Sequence, residues 1–124
     1  MTTRSKNIIL WSLTGLVGLI FIGSAMSKFL GGAEIIQMAS ETGIAHETFR
    51  LLGILELLSV LLFIFPRTGV LGTLLLASYM GGAITTHLTL GQSVIAPLLI
   101  EFLVCGVGVF RFPEFRTRLL QTGN

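Results

Sequence analysis

Long apolar runs broken by short polar stretches dominate the chain. Residues 8–29, IILWSLTGLVGLIFIGSAMSKF, hold no charge between Lys6 and Lys28. About 20 mostly apolar residues suffice for a helix to cross a bilayer, so a first span is predicted here. A second follows at 49–65, FRLLGILELLSVLLFIF, interrupted by Arg50 and Glu56 and closed by Pro66. From Thr68 to Ile100 there is no Asp, Glu, Lys or Arg over 33 residues. One span cannot use that length, and the polar break Thr89-Leu90-Gly91-Gln92-Ser93 divides it. Spans three and four are therefore predicted at 68–88 and 94–112, with Glu101 inside the last.

The links after spans two and three are short, which favours antiparallel neighbours. The longest link, 30–48, contains AEIIQMASETGI, with Ile35, Ile36, Met38 and Ala39 as its apolar positions. It predicts a short interfacial helix at 32–40, ended by Gly43. The fold class expected is all-α: one integral membrane domain over 1–124, an antiparallel four-helix bundle with that small helix in its first external loop. The first apolar stretch is longer than the core of a cleaved signal peptide, so it is expected to stay as a span.

Composition sharpens this picture. Hydrophobic residues make up 52% of the 124, charged residues 11%, and no Asp occurs; mean hydropathy is +0.90. A disordered chain needs the opposite balance. Too few charges exist to coat a soluble globule. The single Cys excludes an internal disulfide, a Cys-based zinc site and a CxxC redox pair within the chain.

The net charge of +2 reads as membrane topology and not as nucleic-acid binding, because Lys and Arg flank the apolar runs. Arg4, Lys6, Arg67, Arg111, Arg116 and Arg118 fall on one side; Lys28 and Arg50 fall on the other with Glu34, Glu41 and Glu47. The expected arrangement has both termini cytoplasmic, in a bacterial plasma membrane. No basic patch interleaved with aromatics is present.

Small residues supply close helix contacts in lipid. The steps Ala77/Gly81 and Ser78/Gly82 mark the third span as the one expected to pack most closely. Gly81 and Gly82 are also expected to leave room for the Glu56 side chain.

Ionisable groups inside a bilayer cost on the order of 3 kcal/mol on insertion scales and are functional candidates by default. Four stand out: Lys28, Glu56, His87 and Glu101. Glu56 and Glu101 each lie seven residues inside spans that enter from the outside, about 10 Å deep by the helical rise. Lys28 and His87 stand at the outer ends of spans one and three. Helical spacing groups Gly53, Glu56 and Ser59 on one stripe, Pro97, Glu101, Cys105 and Gly108 on another, and Tyr79, Ala83, Thr86 and His87 on a third.

Each candidate also has a purely architectural reading. The two acids tie helices together by hydrogen bonds, Lys28 snorkels to the interface, and His87 caps a helix end. Tyr79 and Trp11 read as packing or interfacial residues, Cys105 as a small buried hydrophobe, and His46 as a solvated loop residue. Two carboxyls and an imidazole are a weak metal signal. No CxxCH haem motif, phosphate loop or nucleophile elbow occurs.

Three segments carry a resemblance. GSAMSKFLGG at 23–32, GILELLSVLLFIFPRTGVLG at 53–72 and LLLASYMGGAITTHL at 74–88 together resemble the small four-span DoxX-like membrane proteins. The resemblance implies Lys28, Glu56 and His87 as family-pattern positions. It also implies a component of a membrane redox or detoxification system, since DoxX is named after a subunit associated with a thiosulfate:quinone oxidoreductase.

The expected function is a subunit or small-molecule binding module. Its outer-half pocket of Lys28, Glu56, His87 and Glu101 would take a small ligand, with a quinone as the candidate and no resident metal. Lys28 would neutralise Glu56 or an anionic ligand group, the two acids would exchange protons, and His87 would gate access. The partners expected are the lipid bilayer and a redox protein, with a homo-oligomer open. The alternatives are a small proton-coupled exporter and a structural or assembly partner.

Overall fold

A computed structural model describes residues 2–120. Six α-helices run in chain order: α1 (Thr3–Leu30), α2 (Ala33–Thr42), α3 (His46–Ile64), α4 (Gly69–Thr89), α5 (Ile95–Arg111) and α6 (Pro113–Leu120), with a single 3-10 turn, Pro66–Thr68, before α4. No strand occurs among the described residues.

Local chemistry sets the boundaries. Thr2 caps α1 by accepting the Ser5 N–H on its hydroxyl at 3.1 Å, which satisfies one of the orphan donors of the first turn. The helix therefore begins five residues before the apolar run. Gly31 ends it in the left-handed region at φ 63°, a conformation that costs glycine little. Gly43 ends α2 in the same way, so the helix runs to Thr42 rather than to the expected Ser40. Pro66 occupies the first position of the 3-10 turn. Thr68 fastens that turn by donating to the Leu62 carbonyl at 2.8 Å.

At the other end, Phe112 precedes Pro113 and is held extended, because proline disfavours the helical conformation in the residue before it. The chain bends 106° there and continues as α6, a helix that hydropathy did not anticipate. Pro113 at its first position was the available signal.

The four longest helices close a ring of neighbours: α1 packs on α3, α3 on α4, α4 on α5 and α5 on α1. Each gives two residues to the core: Val17 and Phe21, Val60 and Phe63, Leu76 and Met80, Val104 and Val107. Their spacings of three and four place each pair on one helix face.

Polarity runs outward in reverse. Glu56 is 1% exposed and Thr14 and Thr73 are buried, whereas Leu19 is 75%, Phe102 67% and Leu99 63% exposed. In water such a surface would drive association; in lipid it is the solvated face. Thr3–Leu30 and Pro66–Thr89 are each long and apolar enough to cross a membrane, and the bent pair Ile95–Arg111 with Pro113–Leu120 makes a third candidate. The chain is an integral membrane protein. α3 is as apolar in its second half, but Glu47, Arg50 and Glu56 fall within its 19 residues.

Close approach of α4 to its neighbours occurs at one end. A Cβ on Gly72 would overlap the backbone N and Cα of Phe63, one on Gly69 would overlap the Phe112 ring, and one on Gly108 would meet the Thr73 side chain. Gly81 and Gly82 have nothing within 4 Å of that position. The expectation that these two make close contacts and leave room for Glu56 is thus corrected. They lie on the outward side of α4, where there is no partner helix.

Arg111 fastens this same end. Its Nη1 donates to the Phe63 carbonyl at 2.7 Å and its Nη2 to the Ile64 carbonyl, which satisfies two of the orphan carbonyls of α3. Its guanidinium lies 4.7 Å from the Trp11 ring centroid and 4.8 Å from that of Phe112, an attractive cation–π arrangement. One side chain thereby ties α1, α3 and α5. Arg111→Lys keeps the charge but loses the planar fork and the stacking. It should lower the unfolding free energy by about 2 kcal/mol, the worth of one hydrogen bond to a charged group, in detergent unfolding titrations.

Candidate functional site

The buried chemistry centres on one carboxylate oxygen. Lys28 Nζ lies 2.9 Å from Glu56 Oε2, an ion pair and hydrogen bond joining α1 to α3. Tyr79 of α4 donates its hydroxyl to the same Oε2 at 3.1 Å. Lys28 also donates to the Ser24 hydroxyl at 2.6 Å, one turn back on α1. The Lys28 ammonium stands 5.6 Å from the Tyr79 ring centroid.

The sequence builds this cluster step by step. Ser24 and Lys28 are four apart and share a face. Gly53 lets α3 come close, since a Cβ there would sit 3.2 Å from both the Ala25 carbonyl and Lys28 Cβ. Glu56, three residues on, then points at α1. Phe21 meets Tyr79 edge-on, with centroids 6.4 Å apart at 75°, and brings α4 to the same place.

Removing two charges from water is expensive unless each is paired and hydrogen-bonded. Here the lysine has two acceptors and a ring face. Glu56 Oε1, by contrast, accepts nothing among the described residues. Both donors share Oε2.

Lys28 and Glu56 are therefore brought together; His87 and Glu101 bond within their own helices instead. His87 Nδ1 lies 2.8 Å from the Ala83 carbonyl of its own helix. Glu101 Oε1 accepts from Cys105 Sγ at 3.4 Å, one turn on along α5. Neither forms a hydrogen bond or ion pair with the Lys28–Glu56 pair among the described residues. For Glu101 and Glu56 the reason is topological: α5 packs on α4 and α1, which leaves α3 across the ring from it.

Ser24 and Tyr79 are the members that sequence reasoning missed. Tyr79 stands ten residues before the end of α4 and Glu56 ten residues after the start of α3. That equal spacing from the helix ends opposite the Pro66–Thr68 turn was the usable signal. Of the three polar stripes, Gly53, Glu56 and Ser59 are all buried, whereas Tyr79, Ala83, Thr86 and His87 are half-buried.

Two open cavities lie away from this cluster. One, of about 340 Å³, is bordered by Asn7, Trp11, Arg111 and Glu114. The other, of about 210 Å³, lies between the ends of α2 and α4. No three His, Cys, Asp or Glu side chains gather into a metal-binding group among the described residues.

Comparison with known proteins adds one finding. Searches of the curated proteins and of the solved structures gave no match. The model of the DoxX-like family matches residues 12–109, a stretch that contains Ser24, Lys28, Glu56 and Tyr79, and the chain belongs to that family.

Proposed function

We propose that the chain is a small-molecule binding module of a membrane redox or detoxification system, with the Lys28–Glu56–Tyr79 cluster as its polar binding element. The observation that carries this reading is the convergence on Glu56. Two donors from two other helices meet one carboxylate oxygen of a side chain that is 1% exposed.

A quinone headgroup is the ligand of choice. It would supply two carbonyl acceptors, and the cluster holds matching donors in Lys28 Nζ and Tyr79 Oη. Glu56 Oε1 would accept the proton or hydroxyl of a reduced headgroup. Entry requires one donor to turn from Oε2 to the ligand, a motion that the Lys28 stem allows. Glu101 and His87 stay in the proposal as groups beside the entry route, not as contacts of the pair.

The module would span the bilayer four times, with α3 and α5 crossing beside α1 and α4. Six Lys and Arg against two would place both termini in the cytoplasm, in a bacterial plasma membrane. A redox protein would be its partner.

Binding of decylubiquinone to purified protein in nanodiscs tests this reading. Lys28→Met and Tyr79→Phe should each weaken it at least tenfold. Tyr79→Phe keeps the ring and its Phe21 contact, so it separates ligand binding from folding. Equal affinity in all three proteins would reject the site.

A second reading has its own observation. The network bonds three helices to one another and leaves no sealed polar atom wanting, as a purely structural lock would. It predicts large stability losses with no quinone affinity in the unsubstituted protein.

A further inference from the structure

We propose a second site, where the C-terminal ends of α2 and α4 meet, that binds a primary alkylammonium group. The cavity of about 210 Å³ lies there. Its polar wall is Glu41, Thr42, Thr85, Thr86 and Thr89; its apolar wall is Ile44 and Leu90. It shares no residue with the Lys28–Glu56 cluster.

The polar wall offers acceptors alone. Every threonine hydroxyl in it gives its hydrogen to a carbonyl four residues back. Thr42 donates to Met38 at 2.7 Å, Thr85 to Gly81 at 3.0 Å, Thr86 to Gly82 at 3.0 Å and Thr89 to Thr85 at 2.9 Å. A hydroxyl has one hydrogen and two lone pairs, so what remains to face a ligand is lone pairs. Glu41 accepts the Gln37 amide on Oε1 at 3.0 Å, and its Oε2 has no partner among the described residues.

The backbone donors nearby are committed as well. Ile44 N–H goes to the Thr42 hydroxyl at 3.2 Å, and Leu90 N–H to the Thr86 carbonyl at 3.1 Å. Among the described residues, no Lys, Arg, His, Asn or Gln lines the cavity. Two helix C-termini, at Thr42 and Thr89, add partial negative charge from their end carbonyls.

A wall of acceptors with negative potential selects a ligand of donors with positive charge. A primary ammonium is that group: three N–H donors and no acceptor. Its carbon chain would lie against Ile44 and Leu90. Drug-sized ligands occupy roughly 300–1,000 Å³, so this space suits a small amine. A divalent cation is a poor match, since it takes several carboxylate and carbonyl oxygens and Glu41 is the one carboxylate among the described residues that line the cavity. Two sources carry the chemistry: a free small amine, and the ethanolamine headgroup of a phospholipid at the membrane surface.

Titration calorimetry with ethanolamine, on the full chain in phosphatidylcholine nanodiscs, tests the site. Saturable binding is expected, weakened at least tenfold by Glu41→Gln and by Thr89→Val. Choline, which has no N–H on its cationic nitrogen, should bind at least tenfold more weakly. Glu41 and Thr89 are exposed, so both variants should keep the thermal midpoint of the unsubstituted protein.

Native mass spectrometry from mixed phosphatidylethanolamine and phosphatidylcholine discs supplies the second arm. Retention of the ethanolamine lipid that is lost in Glu41→Gln, without binding of free ethanolamine, assigns the lipid as the source. Absence of both signals, or equal affinity in Glu41→Gln, overturns the site.

Discussion

Lys28→Met should destabilise the protein by about 3 kcal/mol, and the triple variant Lys28→Met/Glu56→Met/Tyr79→Phe should recover most of that loss. Breaking a buried ion pair by removing one partner leaves an uncompensated charge, which costs about 3–5 kcal/mol; replacing both partners by apolar groups of similar volume is often neutral or better. Glu56 is 1% exposed, and its Oε2 would keep only the Tyr79 hydroxyl. The third substitution is required because the Tyr79 hydroxyl has no other acceptor among the described residues. In the double variant Lys28→Met/Glu56→Met it would be stranded, at about 1–3 kcal/mol for an unsatisfied buried donor. Unfolding in mixed micelles, read by circular dichroism, gives the three values. A loss below about 1 kcal/mol for Lys28→Met, the range of an exposed surface pair, would mean that water reaches the pair.

The same cluster shows what a sequence discloses and where it stops. Hydropathy located the long helices because apolar length is a one-dimensional property. Residues 49–65 and His46–Ile64 differ by the polar first turn and by Phe65, which caps the far end. Helical spacing put Gly53, Glu56 and Ser59 on one inward face for the same reason. Spacing states which residues share a face but not which helix that face meets. The sequence puts Glu101 and Glu56 each seven residues into its expected span, but their helices face each other only across the ring, and each found a partner elsewhere. His87 turned to its own backbone, a contact no periodicity excludes. Tyr79 was hidden by its chemistry: an aromatic ring on a helix face reads as packing, and it does pack on Phe21. Only its hydroxyl reaches the carboxylate. α6 escaped because eight residues with Arg116 and Arg118 carry no apolar run.

The glycines of α4 divide by the same logic and give a test at equal chemistry. Gly72→Ala should cost about 3 kcal/mol, whereas Gly82→Ala, on the same helix, should be neutral or stabilising by up to about 1 kcal/mol. At Gly72 the added carbon would overlap the backbone N and Cα of Phe63 and the carbonyl carbon of Leu62. Backbone cannot rotate out of the way as a side chain can. α3 and α4 would have to separate there, which loosens Phe63 and Leu76 in the core and strains the Arg111 bonds to the end of α3. Inserting a methyl group into such a seam costs about 1–3 kcal/mol, with the upper end expected where nothing can yield. At Gly82 nothing lies within 4 Å, and alanine is the better helix former by about 1 kcal/mol. Both single variants can be unfolded under identical detergent conditions. Equal losses at the two positions would mean that the α3–α4 seam lies elsewhere. A loss at Gly82 alone would move it to the small-residue steps Ala77/Gly81 and Ser78/Gly82, toward the level of Tyr79 and Glu56.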